Sequence, residues 1–337
     1  MRKLIVGDIH GCFEELMELI QQSGITEEDL LISVGDIVDR GNQSKEVWQY
    51  LKKRPNTVVL MGNHERKHQN QVLSYAQEIV KLQFENEYPA FLSWLESLPY
   101  YFETEEAIII HAFLEHDLEL SAQKPEVLAG STAGERFLQK KYPEGSFWSD
   151  YYEGNKPVIY GHHVVGDAPK IEQHTIGIDT GACHGGLLTA IELPGFLIHQ
   201  VKAKKDYWKE QQTLWQVPVL KAKPWQDMTF EEIQKQIQKL AYIQDPETVT
   251  VLAEIQIWSE TLQVSLSVIL QQIELLTAQL LQDSPETFVA NANQFSFKNL
   301  LFKCKSQQLT IKDLQKSLNT PSKILHLQQE LKPLVKL

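Results

Sequence analysis

Two carboxylates and a guanidinium, Asp36, Asp39 and Arg40, lie in the segment Gly35–Gly41, directly after the apolar run Leu30–Val34. A leucine-rich, β-branched run that stops at Gly-Asp predicts a buried strand delivering its carboxylate to the strand's carboxyl end, where open α/β sheets place their sites. A carboxylate can bridge cations, and the planar fork of Arg40 matches a pair of phosphate oxygens better than an ammonium does. The chemistry that suits this combination is metal-assisted phosphoryl transfer.

The same ending recurs along the chain. Lys3–Val6 stops at Gly7-Asp8-Ile9-His10-Gly11, Thr57–Met61 at Gly62-Asn63-His64-Glu65, Ala107–Ile110 at His111, and Pro157–Tyr160 at Gly161-His162-His163. Gathering carboxylate, imidazole and amide groups at one sheet edge is costly without cations to bind them. Asp8, His10, Asp36, Asn63, His111 and His162 are therefore the candidate ligands. Helical spacing after the first strands, over Phe13–Ile20 and about 44–53, gives strand, polar turn, helix, and with it an α/β fold. Residues 66–98 read as helical and more polar. Thr175–Ile178 predicts a sixth strand ending at Asp179-Thr180-Gly181, and Leu187–Leu193 with Gly195–Val201 a closing antiparallel pair.

In that order the motifs G-D-I-H-G, G-D-I-V-D-R-G, G-N-H-E, H-A and G-H resemble those of the calcineurin-like metallophosphoesterases, in particular the phosphoprotein phosphatase branch that includes bacterial Ser/Thr phosphatases. The resemblance covers Met1 to about Lys204. It implies a two-sheet α-β-β-α sandwich with two divalent metal ions at the strands' carboxyl ends. Carried over residue by residue, it implies Asp8, His10 and Asp36 on one ion and Asp36, Asn63, His111 and His162 on the other. Asp36 would be shared, and a metal-bridging hydroxide would attack phosphorus. The mixed oxygen and nitrogen donors suit manganese, with iron or zinc as alternatives. His64 would protonate the leaving group with Asp39 orienting its ring, while Arg40 and Asn63 would hold phosphate oxygens.

The chain departs from the family pattern at three places. Eukaryotic members use a further arginine on the phosphate, for which Arg136 is the candidate downstream of Arg66. Phe113 in His111-Ala112-Phe113 and His163 in Gly161-His162-His163 stand where many relatives have glycine and threonine, and are expected to narrow the substrates accepted. His184 is a further candidate at the cleft mouth, and Trp94, Trp148, Tyr151 and Tyr152 for a substrate rim. His68 matches no ligand position, and Cys12 reads as a buried inert thiol.

After Lys204 glutamine is frequent, and arginine and glycine are gone, which predicts an all-α appendage over 205–337 beside a catalytic domain over 1–204. Helices are expected over Phe230–Leu240, about Pro246–Leu281, Ile311–Leu318 and Ser322–Leu331, broken by proline-bearing turns. The appendage is a candidate for self-association or for a protein partner. The net charge of -12 belongs to the first part, since lysines and acids balance from Lys205 onward. That disfavours a nucleic-acid ligand. Three scattered cysteines suggest a reducing compartment, and no uncharged run reaches the length of a membrane helix, so the expectation is a cytoplasmic protein.

The implied reaction is phosphomonoester hydrolysis, with phosphoserine and phosphothreonine proteins as leading substrates. Hydrolysis of dinucleoside polyphosphates such as diadenosine tetraphosphate is the nearest alternative, followed by nucleotide or RNA-end phosphatase activity. The dinucleotide hydrolases typically replace the aspartate matching Asp39 and read G-N-H-D, so Asp39 and Glu65 favour the phosphatase. A non-catalytic scaffold acting through the helical appendage is disfavoured, because every ligand position and His64 are retained.

Overall fold

Among the described residues, 1–283 and 285–334 of the computed structural model, the short apolar runs become strands. In chain order these are β1 (Lys3–Val6), β2 (Leu30–Ser33), β3 (Thr57–Val59), β4 (Tyr101–Glu103), β5 (Ile108–Ile110), β6 (Val158–Tyr160), β7 (Lys170–Ile171), β8 (Thr175–Gly177), β9 (Leu187–Leu193) and β10 (Leu197–Lys202). They form two five-stranded sheets, ordered β10-β9-β1-β2-β3 and β4-β5-β6-β8-β7. β1, β2 and β3 run parallel in the first sheet, and β5, β6 and β8 in the second. All of these strands except β8 deliver a candidate ligand at or just past their carboxyl ends.

Period-two alternation assigns each side chain a layer. Ile5 and Ile32 of the first sheet meet Ile109, Ile159 and Ile176 of the second in a dry middle layer. Leu4, Val6 and Leu31 point the other way, onto Leu16 and Leu19 of the helix Phe13–Ser23 and onto Trp48, Phe84 and Phe91. On the outer face of the second sheet Ile110, Val158 and Tyr160 pack on Val127, Leu128, Leu138 and Trp148. The result is the helix-sheet-sheet-helix sandwich. Burying two faces of each sheet fixes register, because a one-residue slip would exchange the layers.

The chain divides into two compact units, Met1–Trp215 and Gln216–Leu337. The sequence boundary at Lys204 falls earlier than this division. Residues 207–214 form a helix whose Tyr207 is buried in the core of the first sheet's outer face and donates its hydroxyl to Glu15 at 2.8 Å. The helical stretch 66–98 falls mainly in three helices, Asn63–Gln69, Tyr75–Phe84 and Tyr88–Leu95. Ser74 and Gln77 make a capping box that restarts the chain, and Pro89 sits in the first turn of the third helix.

The second unit is helical. The helix Pro246–Asp283 carries Leu262, Leu266, Ile269, Ile273 and Leu276 on one face, packed on Phe288, Leu301, Leu314, Ile324 and Leu327. By length and composition its Pro246–Gln282 stretch could cross a membrane. It is not an uncharged run, since Glu254, Glu260 and Glu274 lie along it. In the structure the helix supplies the core of a helical bundle.

Candidate metal centre

The site is assembled where the two sheets' strand ends meet. The buried Asp36 carboxylate lies at its middle. On one side His10 Nε2 is 3.6 Å and His64 Nε2 3.9 Å from Oδ2; on the other His111 Nε2 is 3.4 Å from Oδ1. Donor atoms of His10, Asp36 and His64 lie within 4.8 Å of one another, as do those of Asp36, His111 and His162. Asn63 Oδ1 faces both His111 Nε2 and His162 Nδ1, each at 3.1 Å. Asp8 is buried beside them, and both its oxygens accept the His162 amide at 3.1 Å. That contact ties the end of β1 to the end of β6.

The backbone is bent to make this possible. His10, Asp36, Asp39, Arg40 and His162 all adopt positive φ, between 44° and 72°. Such conformations are costly for residues other than glycine and collect at functional sites. Close approach adds a second constraint. A Cβ on Gly62 would lie 2.6 Å from the Asp36 amide nitrogen and closer still to its carboxylate, and one on Gly161 would collide with Asp8.

The donor set fits cations. His10 Nδ1 and His111 Nδ1 give their protons to the carbonyls of Val38 (2.8 Å) and Val34 (3.1 Å), so both Nε2 lone pairs face inward. The His111 lone pair then meets the lone pairs of Asn63 and Asp36 with no proton between them, an arrangement a cation satisfies. Burial holds His10 and His162 well below the ordinary imidazole range and lowers His111 as well, favouring the neutral form that ligates. Burial also raises Asp8, helped by the nearby carboxylates of Asp179 and Asp36. Burial alone would raise Asp36 as well, but the surrounding histidines more than offset it and hold it below the usual range.

Around this cluster runs a second set of contacts. His64 Nδ1 donates to Asp39 Oδ2 at 2.6 Å, and Gln77 Nε2 donates to the same oxygen. His68 Nε2 donates to Asp39 Oδ1 at 3.0 Å, and His68 Nδ1 meets the Tyr88 hydroxyl at 2.9 Å. Burial works against the Asp39 charge, but the two imidazoles outweigh it and hold its carboxyl well below the ordinary range. Glu65 accepts the amides of Asp36 (2.8 Å) and Ile37 (3.0 Å), pinning the loop that carries the central carboxylate. Arg40 reaches over the site, Nη1 3.2 Å from His10 Nε2 and Nη2 3.0 Å from His64 Nε2. The guanidinium lies against the Cys183 thiol, whose pKa burial pushes up to about 12.

The structure thus gathers Asp8, His10, Asp36, Asn63, His111 and His162, with His64, Asp39 and Arg40 on the same side. It places His64, rather than Asp8, among the donors closest to His10 and Asp36. Arg136 is not brought to the cluster: it is exposed on the helix Thr132–Lys141. Asp179 accepts the Gly181 amide at 3.0 Å, the turn its sequence suggested. Sequence reading missed His68, Gln77 and Cys183. For His68 a signal existed: His64 and His68 are four apart, which on the helix starting at Asn63 puts both imidazoles on one face.

Comparison with known proteins agrees with this architecture. The calcineurin-like phosphoesterase family matches residues 1–185, more than half of the chain. The PrpE bis(5'-nucleosyl)-tetraphosphatase [asymmetrical] of Bacillus mycoides is 30% identical over 230 residues, 58% of this chain and 91% of that protein. Its counterpart from Anoxybacillus flavithermus is 31% identical over 242 residues, 61% and 96%. A crystal structure of a protein provisionally described as a diadenosine tetraphosphatase superposes with a TM-score of 0.50 at 24% identity, covering 60% of this chain and 93% of that one. That last likeness is one of fold. With the ordered motifs, the sandwich and the donor set in place, the chain belongs to the calcineurin-like phosphoesterases, a family of metal-dependent hydrolases.

Proposed function

We propose that the first unit hydrolyses dinucleoside tetraphosphates off-centre, releasing a nucleoside monophosphate and a nucleoside triphosphate. The observation that carries this reading is the run of relatives at about 30% identity, matched over nine-tenths of their length or more and named as asymmetrical tetraphosphatases. It reverses the ranking drawn from sequence pattern, which put a protein phosphatase first. Asp39 and Glu65 had favoured the phosphatase. Their contacts are with His64, His68, Gln77 and the loop of Asp36, duties indifferent to what the phosphate is attached to.

Divalent cations held by Asp8, His10, Asp36, Asn63, His111 and His162 would supply positive charge to the phosphate chain and acidify water beside it. Manganese is our choice among them. Arg40, already at the mouth of the site, forks onto phosphate oxygens as charge builds in the transition state. With Arg40 drawn off it onto the phosphate, His64 Nε2 is free to carry a proton and pass it to the departing oxygen, its ring fixed through Nδ1 by Asp39. His68 and Gln77 hold Asp39 in turn.

The test is a manganese-supplemented panel of diadenosine tetraphosphate, a phosphothreonine peptide, p-nitrophenyl phosphate and a 2′,3′-cyclic nucleotide. We expect the highest kcat/KM on the dinucleotide, with equal amounts of AMP and ATP formed. Preference for the phosphothreonine peptide would restore the protein-phosphatase reading.

A further inference from the structure

A cavity of about 590 Å³ opens beside the candidate metal centre. Phe113 forms its inner wall. That ring stands edge-on to His162 at 5.2 Å and lies 5.4 Å from His163, so the cavity begins one side chain away from the Asp36 cluster. Phe147 also lines it, 52% exposed and edge-on to His163 at 6.2 Å. Glu135 and Gln139, one turn apart on the helix Thr132–Lys141, and Glu144 face the space. Of the residues lining it, none is a lysine or an arginine.

Two carboxylates repel a second phosphate, so the polyphosphate chain has no reason to enter. A flat, uncharged ring with N–H donors fits: aromatic faces stack on it, and carboxylates accept its N–H groups. Off-centre cleavage gives the geometry a further reason. The bridge broken is then the one between the first and second phosphorus atoms, so whichever of the two is attacked, the adjoining nucleoside lies within two phosphates of the metal centre, near where the cavity begins.

We propose that this cavity seats the nucleobase of the released monophosphate, a base bearing an exocyclic amine, stacked on Phe147 with its N–H groups received by Glu135. The assignment rests on the proposed dinucleotide hydrolysis. It explains Phe113 and His163, the two departures flanking the cavity, as specificity elements rather than ligands.

Two readouts on the full-length protein separate the claims. In the first, Phe147→Ala lowers the ratio of kcat/KM on diadenosine tetraphosphate to that on p-nitrophenyl phosphate about tenfold, chiefly through KM, the loss expected for one stacked base. Phe147→Tyr, which keeps the ring, restores it, and Glu135→Gln shifts the ratio between adenine and uracil dinucleotides. In the second, saturation-transfer NMR with adenosine alone gives base-proton signals on wild type that Phe147→Ala removes. An unchanged ratio together with adenosine signals that survive Phe147→Ala overturns the cavity assignment. Wild type that ignores the dinucleotide yet binds adenosine through Phe147 overturns the proposed reaction and leaves the base site standing. Wild type that shows neither property refutes both.

Discussion

Asp39→Asn tests the proton-donor arrangement most sharply. The Asp39 carboxylate receives three donors, the ring N–H groups of His64 at 2.6 Å and His68 at 3.0 Å and the Gln77 amide. An asparagine of the same shape offers one acceptor oxygen, so at least one imidazole faces an amide N–H instead. Each hydrogen bond to a charged group contributes about 1.5–3 kcal/mol, and a freed His64 ring loses the orientation that aims Nε2 at the leaving oxygen. General acid catalysis contributes roughly 10²- to 10⁴-fold, so kcat on an alkyl phosphate should fall by that order. p-Nitrophenolate departs without a proton and should lose far less. The assay is kcat for both substrates with metal content measured alongside. Equal losses on the two leaving groups, with metals retained, would refute the assignment of His64 as the donor.

The remaining predictions concern the same shell. His68→Phe fills the space but withdraws the donor to Asp39 Oδ1, so kcat should drop roughly tenfold with KM unchanged, as steady-state kinetics will show. Glu65→Gln sets an amide against the Asp36 and Ile37 N–H groups and should cost about 1–3 kcal/mol, read as a lower Tm in thermal unfolding. Gly62→Ala forces a Cβ into the Asp36 backbone and should yield a folded protein with reduced metal content, measured by elemental analysis after gel filtration.

The strand ends were legible in the sequence because each buried run stops at a polar group, and burial plus chemistry is a local signal. Asp36, His111 and His162 are far apart in the chain, yet each lies within three residues of the end of its own strand, and the parallel strands of the two sheets bring those ends together. The sandwich itself came from resemblance, since period-two runs alone do not say which sheet a strand joins. The contacts among Asp39, His68 and Gln77 escaped because their partners lie 29 and 38 residues apart. β4 and β7 escaped for a different reason. β4 has three residues and is only half-buried, while β7 has two exposed residues, too little pattern to read. Scarcity of arginines singles out Arg136 in the sequence but carries no spatial information, and the residue is exposed on the helix Thr132–Lys141. Asp39 and Glu65 carry little information about substrate, because their contacts shape the loop of Asp36 and orient imidazoles rather than face a leaving group.

Whether Asp36 is shared between two cations is read directly from crystals grown with manganese, by anomalous scattering. Two peaks should straddle Asp36, one near Oδ2 beside His10 and one near Oδ1 between His111 and His162. A single peak, or two that leave Asp36 out, would contradict that sharing.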